Sequence, residues 1–179
     1  MKVLGIDPGS RFCGFGVVED AGGTRVRHVA HGILEVGEAG AIEDRLCALH
    51  AGLSREILLH RPQMVAIEDI FHARNARSAL VLGQARGVAM LAVAQAGVQL
   101  RSFAPSVIKQ AVTGTGRAEK DQVGRMVAVV LGIAVPERAD ASDALAAAIC
   151  GVLRARDPHA AGPRPRGDWR TRLARRFAR

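Results

Sequence analysis

The sequence predicts one α/β domain built on a mixed five-stranded sheet flanked by helices. Short aliphatic runs separated by glycine-containing turns fill the first third of the chain, as in meandering strands. Longer segments with apolar residues three and four positions apart follow, as in amphipathic helices. With 179 residues, 49% of them hydrophobic, the chain is long enough to bury one substantial core.

The first three strands are predicted at residues 3–7, 13–18 and 25–36, and their short connections favour antiparallel pairing. Strands and helices then alternate, which requires parallel crossovers and therefore a mixed sheet. The later strands are predicted at 64–67 and 98–103, and the helices at 41–60, 75–96, 105–112, 119–131 and 140–154.

Residues 1–156 are predicted to form the folded domain and residues 157–179 a basic, disordered C-terminal arm. The arm holds seven arginines, two aspartates and three prolines but few aliphatic residues. Such a segment buries too little apolar surface to offset the entropy of ordering. The formal charge of the whole chain is +8, which favours a polyanionic partner.

The remaining composition limits the class of protein. Cys13, Cys47 and Cys150 are odd in number and lack a CxxC spacing, so neither a disulfide framework nor a structural zinc site is expected. The chain shows no export signal, and its longest unbroken apolar runs are far shorter than a membrane span requires. We therefore expect a cytoplasmic, nucleoid-associated protein without a membrane partner.

Two acidic residues follow apolar strands directly. Asp7 ends the run 3–6, and Glu68 ends the run 64–67. Ligand sites in α/β sheets gather beyond the carboxyl ends of strands, so these carboxylates face each other if their strands are neighbours. The alternatives are that Asp7 caps the turn formed with Pro8 and Gly9, and that Glu68 reaches solvent.

Asp140 and Asp143 lie three residues apart at the start of the last helix, so both side chains project from nearly the same face. If they are taken as an isolated pair, a simpler explanation is that Asp140 is the N-cap and Asp143 is an acid that stabilises the first turn of the helix. Combined with Asp7 and Glu68 they predict an acidic site, because clustered carboxylates repel one another unless a cation neutralises them. Oxygen ligands suit Mg²⁺ or Mn²⁺, and two such ions hydrolyse phosphodiesters.

Basic and aromatic residues lie close to these acids in the sequence. Lys109 and Lys120 flank a glycine-containing loop that includes Arg117 and can hold phosphates, although a solvated surface explains the charges equally well. The segment 71–75, directly after Glu68 and Asp69, combines Phe71 with Arg74 and Asn75. An exposed aromatic beside such groups can stack on an unpaired base, whereas a buried Phe71 is the alternative.

Several motifs in this chain closely resemble the RuvC family of Holliday junction resolvases over roughly residues 1–155. They are Gly-Ile-Asp-Pro-Gly at 5–9, Ala-Ile-Glu at 66–68, the stretch 75–87 that ends in Gly-Gln-Ala-Arg-Gly, Lys-Gln at 109–110, Gly-Thr-Gly at 114–116, Ala-Glu-Lys at 118–120 with Gln-Val at 122–123, and Ala-Asp-Ala-Ser-Asp-Ala-Leu at 139–145. They occur in the family order and at the family spacing.

The resemblance implies a ribonuclease-H-like fold and a homodimer that nicks two opposed strands of four-way junction DNA, in homologous recombination and DNA repair. It implies two Mg²⁺ ions per site, with Mn²⁺ able to substitute, and the RuvA and RuvB branch-migration complex as a partner. The metal ligands that it implies are Asp7, Glu68, Asp140 and Asp143. The implied catalytic residues are these four acids together with Lys109 and Lys120. The implied DNA contacts are Phe71, Arg74, Asn75, Ser78, Lys109, Arg117 and Lys120.

The predicted helix 75–96 is the expected dimer surface, because Ala79, Gly83 and Gly87 form a smooth stripe. Packing of that stripe on the chain's own sheet is an equal alternative. Other functions stay open: an RNA-directed nuclease of the same fold, a junction-binding protein without catalysis, or an ATPase related by its Gly-Ile-Asp opening, although such ATPases need two domains of this kind.

Overall fold

The computed structural model describes residues 1–9, 11–23, 25–37, 40–69 and 76–156. The elements run in the order β1 (Lys2–Pro8), β2 (Phe12–Asp20), β3 (Val26–Glu35), α1 (Ile42–His60), β4 (Met64–Glu68), α2 (Ala76–Gln95), β5 (Gln99–Phe103), α3 (Pro105–Thr113), α4 (Lys120–Leu131) and α5 (Ala139–Ala155). Every predicted strand and helix lies within a few residues of an observed one. The predicted arm, 157–179, lies outside the described residues.

The five strands form one mixed sheet in the order β3-β2-β1-β4-β5. The β1–β2 and β2–β3 pairs are antiparallel, whereas the β1–β4 and β4–β5 pairs are parallel. The predicted fold class is therefore confirmed. Because β1 and β4 are central and parallel, their carboxyl ends meet at one edge of the sheet.

Each face of the sheet buries its own apolar cluster. On one face α5 lies across β1, β2 and β4 with α3 and α4 packed beside it, and eleven of its seventeen residues are buried. On the other face α1 and α2 cover Leu4, Ile6, Val65 and Ile67. The two helical layers thus enclose a sheet whose central strands are almost wholly aliphatic.

Helix α2 leaves much of its apolar surface exposed. Its segment Ser78–Gln95 has a mean hydropathy of 1.2, and only 22% of that segment is buried. By length and composition alone this one helix could cross a membrane, which is weak support for a span. Leu80, Met90 and Leu91 are 64%, 37% and 50% exposed.

The stripe of small residues on α2 faces outward. Ala79, Gly83 and Gly87 are exposed, and a Cβ atom built on either glycine meets nothing within 4 Å. The core-facing positions are instead Ala85, Ala89 and neighbouring small residues. Packing of the stripe on the chain's own sheet is therefore wrong.

Candidate active site

Asp7 and Glu68 lie side by side at the carboxyl edge of the sheet. Ile6 of β1 pairs with Ile67 of β4, so the next residue of each strand is one of these acids. Neighbouring strands are about 4.8 Å apart, which brings the two residues close together. Asp7 belongs to β1 and pairs with Gly14 of β2, so it is a strand residue and not a turn cap.

Both side chains point toward α5. A Cβ atom on Gly5 would meet the backbone of Ala144, and Ala66 contacts Gly151, so both strand residues face that helix. Side chains alternate along a strand, and therefore Asp7 and Glu68, each two residues further on, point the same way. The sheet thus presents two carboxylates beneath the start of α5.

Glycines in the strands let α5 approach closely enough to add its own acids. A Cβ atom on Gly14 would lie 2.0 Å from the carbonyl oxygen of Asp140, and one on Gly5 only 1.8 Å from that of Ala144. No larger residue fits at either position without moving the helix. The N-cap of α5 is Arg138, so Asp140 is a first-turn residue and not the cap.

The four carboxylates form one electrostatic cluster. Burial raises the pKa of Asp7 to about 7, and Asp143, Glu68 and Asp140 contribute to this rise in that order. Burial also raises the pKa of Glu68 and of Asp143, in each case with a smaller contribution from another acid of the cluster. The arrangement therefore disfavours full ionisation at neutral pH in the absence of a cation.

Two lysines approach this cluster from the α3 and α4 side. Lys120 Nζ lies 2.7 Å from Asp143 Oδ2, and this hydrogen bond raises the pKa of Lys120. Lys109 acts on both Glu68 and Asp143, since its charge lowers the pKa of each. The cleft between these groups has a volume of about 160 Å³ and is lined by Glu68, Pro105, Ile108, Lys109, Lys120, Val123, Asp143 and Ala146.

The donor set suits a divalent cation in chemistry and charge. All four ligands would be carboxylate oxygens, which hard cations such as Mg²⁺ prefer, and a cation would relieve their mutual repulsion. Within the described part of the chain, however, no three acidic, histidine or cysteine side chains are arranged so that they could hold a metal ion. The ammonium group of Lys120 instead supplies positive charge at Asp143.

Of the other predicted DNA contacts, the two that the structure describes do not line the cleft. Arg117 is exposed in the turn between α3 and α4, and Ser78 is half-buried in the first turn of α2. Phe71, Arg74 and Asn75 lie outside the described residues.

Sequence reasoning missed Arg138, which lies beside Asp140 at the start of α5. Its Nη2 atom is 3.5 Å from Asp140 Oδ2, and its guanidinium carbon lies 3.6 Å from the centroid of the Phe12 ring. The available signal was a cation at a helix N-terminus, where acids are normally preferred. Its partner Phe12 is remote in sequence and gave no signal.

Arg86 of α2 was also missed. Its Nη2 atom donates to Asp69 Oδ1 at 2.8 Å and to Ser102 Oγ at 2.9 Å. Because Asp69 directly follows Glu68, this contact joins the end of β4 to α2 and to β5. The bridge was not predictable, since nothing in the local pattern pairs these residues.

The strand order, the two parallel central strands and α5 lying across them define a ribonuclease-H-like fold with an acidic edge. Comparison with known proteins places the chain within that class. The sequence profile of the family described as crossover junction endodeoxyribonuclease RuvC matches residues 3–151. The chain belongs to the RuvC family.

Individual relatives agree with this assignment. The crossover junction endodeoxyribonuclease RuvC of Myxococcus xanthus is 52% identical over 158 residues, which cover 87% of this chain and 82% of that protein. The structure of Thermus thermophilus RuvC in complex with a Holliday junction substrate is 33% identical, with a TM-score of 0.83 over 87% of this chain and 95% of that one. The description of the family and the name of the Myxococcus xanthus relative are those of nucleases.

Proposed function

We propose that this chain is a structure-specific endonuclease that resolves Holliday junctions by nicking two opposed DNA strands symmetrically, in homologous recombination and DNA repair. The observation that carries the proposal is the buried cluster around Asp7, whose pKa is raised by burial and by three neighbouring carboxylates. A cluster that repels itself in this way serves no structural purpose without a cation. Membership of a nuclease family, and the Holliday junction substrate bound by Thermus thermophilus RuvC, support a DNA junction as the target.

Asp7, Glu68, Asp140 and Asp143 would hold two Mg²⁺ ions, and Mn²⁺ could replace them. When bound, the ions supply an activated water for attack on phosphorus and stabilise the oxygen that leaves. The ligand oxygens would come from two rigid elements, the sheet edge and α5, and the side chains would have to draw together from their present arrangement to share an ion. Lys120 must give up its contact with Asp143, at least in part, for that carboxylate to serve as a ligand.

The basic residues bind and position the DNA strand. Lys109 and Lys120 line the cleft next to Glu68 and Asp143, where their ammonium groups can contact the scissile phosphate and the negative charge that develops on it. Further DNA contacts are proposed at Phe71, Arg74, Asn75, Ser78 and Arg117. Phe71 would stack on a base near the crossover.

A homodimer would explain paired nicking, because two sites related by a two-fold axis match the two-fold symmetry of the junction. The exposed face of α2 is the proposed contact. It combines Leu80, Met90 and Leu91 with the open glycine positions Gly83 and Gly87. Small residues allow close approach of a second helix, and burial of the leucines would stabilise the pair. RuvA and RuvB are the proposed partners at the junction.

A synthetic four-way DNA junction with mapped cleavage positions tests this function. The unaltered chain with Mg²⁺ should nick two opposed strands at symmetric positions. Asp7→Asn should keep junction affinity and lose at least about a thousandfold in cleavage rate, because one central ligand is neutralised. Retained cleavage by Asp7→Asn would contradict the proposed chemistry.

Two other outcomes distinguish the alternatives. Binding without nicking by the unaltered chain would indicate a junction-binding protein without catalysis. Faster cleavage of an RNA duplex than of the DNA junction would indicate an RNA-directed nuclease. Measuring both substrates in one assay with one enzyme preparation therefore decides between the three functions.

A further inference from the structure

Arg138 is held in a fixed position yet remains open to solvent. Its guanidinium carbon lies 3.6 Å from the centroid of the Phe12 ring, which is close enough for a cation–π contact. Its Nη2 atom lies 3.5 Å from Asp140 Oδ2, and the side chain is 45% exposed. A stacked arginine at the rim of an acidic site combines a defined orientation with access for a ligand.

Helix stability does not account for an arginine at this position. Arg138 is the N-cap of α5, where the helix carries partial positive charge and where Ser, Thr, Asp or Asn are preferred. Its side chain makes no capping hydrogen bond. The Phe12 ring and Asp140 offset the unfavourable placement, and both contacts keep the charge at the edge of the carboxylate cluster.

The sheet topology puts Arg138 on the β2 side of the carboxylates, whereas Lys109 lies on the β4 side beside Glu68. Phe12 begins β2, Asp7 lies near the end of β1 and Glu68 ends β4, and these strands are neighbours in that order. Lys109 lines the cleft next to Glu68, while Lys120 lies against Asp143. Positive charge therefore flanks the acidic cluster on both sides, along the direction that crosses the strands.

We propose that Arg138 binds a phosphate of the DNA strand adjacent to the scissile phosphate, on the β2 side of the site. The face of the guanidinium group stacks on Phe12, while its edge carries N–H donors that match two phosphate oxygens. The contact with Asp140 is long and partly exposed, so a phosphate can replace it. This role rests on the proposed junction cleavage and adds a second grip on the strand.

The test is the salt dependence of binding to a synthetic four-way junction without divalent metal. Arg138→Gln removes one phosphate contact, so the slope of log affinity against log salt should fall by about 0.9. Affinity at about 0.1 M salt should fall about tenfold, as for the loss of a charged hydrogen bond. The matched control is Arg27→Gln, which removes the same charge at the far end of the sheet, where Arg27 pairs with Glu19.

A second variant separates the charge from its platform. Phe12→Leu keeps the cation but removes the stacking surface, so it should preserve most of the salt slope while weakening junction affinity about threefold. Thermal unfolding of each variant checks that the fold is intact. A slope that is unchanged in Arg138→Gln, or reduced as much by Arg27→Gln, would overturn the proposal.

The outcome also separates this proposal from the proposed function. If the unaltered chain binds the junction without cutting it, the nuclease function fails while the salt slopes still decide the role of Arg138. If Arg138→Gln binds with the normal slope and only needs more metal for cleavage, Arg138 acts through Asp140 alone and the phosphate contact is overturned.

Discussion

Helices α5 and α2 are both rich in alanine and glycine, but they pack on the sheet in opposite ways. Eleven of the seventeen residues of α5 are buried, whereas only 22% of the segment Ser78–Gln95 of α2 is buried. The difference arises in the strands, since Gly5, Gly14 and Gly16 let α5 approach the backbone of β1 and β2. The small residues of α5 thus serve close packing within the chain, whereas the stripe of Ala79, Gly83 and Gly87 on α2 faces outward.

The side of the sheet that α5 covers (the buried face) carries an electrostatic penalty that the exposed surface of α2 (the open face) lacks. Between pH 4 and 7 the folded protein holds a proton on Asp7, whose pKa is about 7, that the unfolded chain with its ordinary value of 3.8 has released. The free energy of unfolding therefore falls as pH rises through this window. For Asp7 the fall is on the order of 4 kcal/mol, and Glu68 and Asp143 shift in the same direction.

Urea unfolding of metal-free protein at several pH values measures this effect. Burial lowers the pKa of His28, which acts in the opposite direction, so the informative quantity is the difference between the unaltered chain and Asp7→Asn. Between about pH 4.5 and about pH 7.5 the unaltered chain should lose stability relative to Asp7→Asn. Addition of Mg²⁺ should reduce this loss. Parallel pH profiles for the two proteins would show that burial and the neighbouring carboxylates do not raise the pKa of Asp7.

The close approach of α5 should make Gly5→Ala strongly destabilising. The new Cβ atom would lie 1.8 Å from the carbonyl oxygen of Ala144 and 2.7 Å from the amide nitrogen of Ala148, and backbone atoms cannot rotate away. We expect a loss of about 3 kcal/mol or more in the free energy of unfolding. Because displacement of α5 also moves Asp140 and Asp143, junction cleavage should fall more than junction binding.

Denaturant unfolding at fixed pH checks the stability change, and a cleavage assay under conditions where the variant is folded checks the displacement. Gly22→Ala is unsuitable as a control, because Gly22 has a φ of 83°. Gly83→Ala is the matched control, since it adds the same methyl group on a helix surface. Equal stability changes for Gly5→Ala and Gly83→Ala would remove the contrast between the two faces.

The sequence was sufficient for the elements and for half of the site. Alternation and length predicted the strands, and parallel pairing of two strands that end on acids predicted that Asp7 and Glu68 meet. Strand bounds were less accurate, because Phe12, Glu19 and Asp20 extend β2 beyond the predicted range 13–18. Periodicity detects buried side chains, and it does not detect polar residues at a strand end.

Contacts between remote segments explain what could not be predicted. Three side-chain contacts each join separate elements. They are the stack of Arg138 on Phe12, the ion pair of Lys120 with Asp143 and the bridge from Arg86 to Asp69. Local patterns contain no information on which surface residues of two elements will meet. The exposure of the α2 stripe was likewise undecided, since a stripe of small residues permits both internal packing and dimerisation.

A smaller effect is predicted for dimer assembly through the exposed surface of α2. Leu91 is 50% exposed on α2, so Leu91→Glu should leave the folded chain stable but weaken the proposed dimer by about a hundredfold, because it would place a charge in the contact. Sedimentation velocity over a range of concentrations measures the change. Val129→Glu is the control, since Val129 is 73% exposed on α4.

Cleavage products sharpen this test. A variant that dimerises weakly should release singly nicked junctions at low enzyme concentration, whereas the unaltered chain should nick both strands. Unchanged sedimentation of Leu91→Glu, or equal weakening by Val129→Glu, would show that α2 is not the dimer contact.

The smallest expected effect is a gain in stability on the open face. A Cβ atom on Gly83 meets nothing within 4 Å, and alanine is favoured over glycine inside a helix by about 0.8–1.0 kcal/mol. In the monomeric Leu91→Glu background, Gly83→Ala should therefore raise the free energy of unfolding by up to that amount. In the dimer the same methyl group would separate the two α2 helices, so stability gained by the subunit should be accompanied by weaker association. A gain in both backgrounds with unchanged association would place Gly83 outside the contact and restrict the proposed dimer surface to the leucine positions.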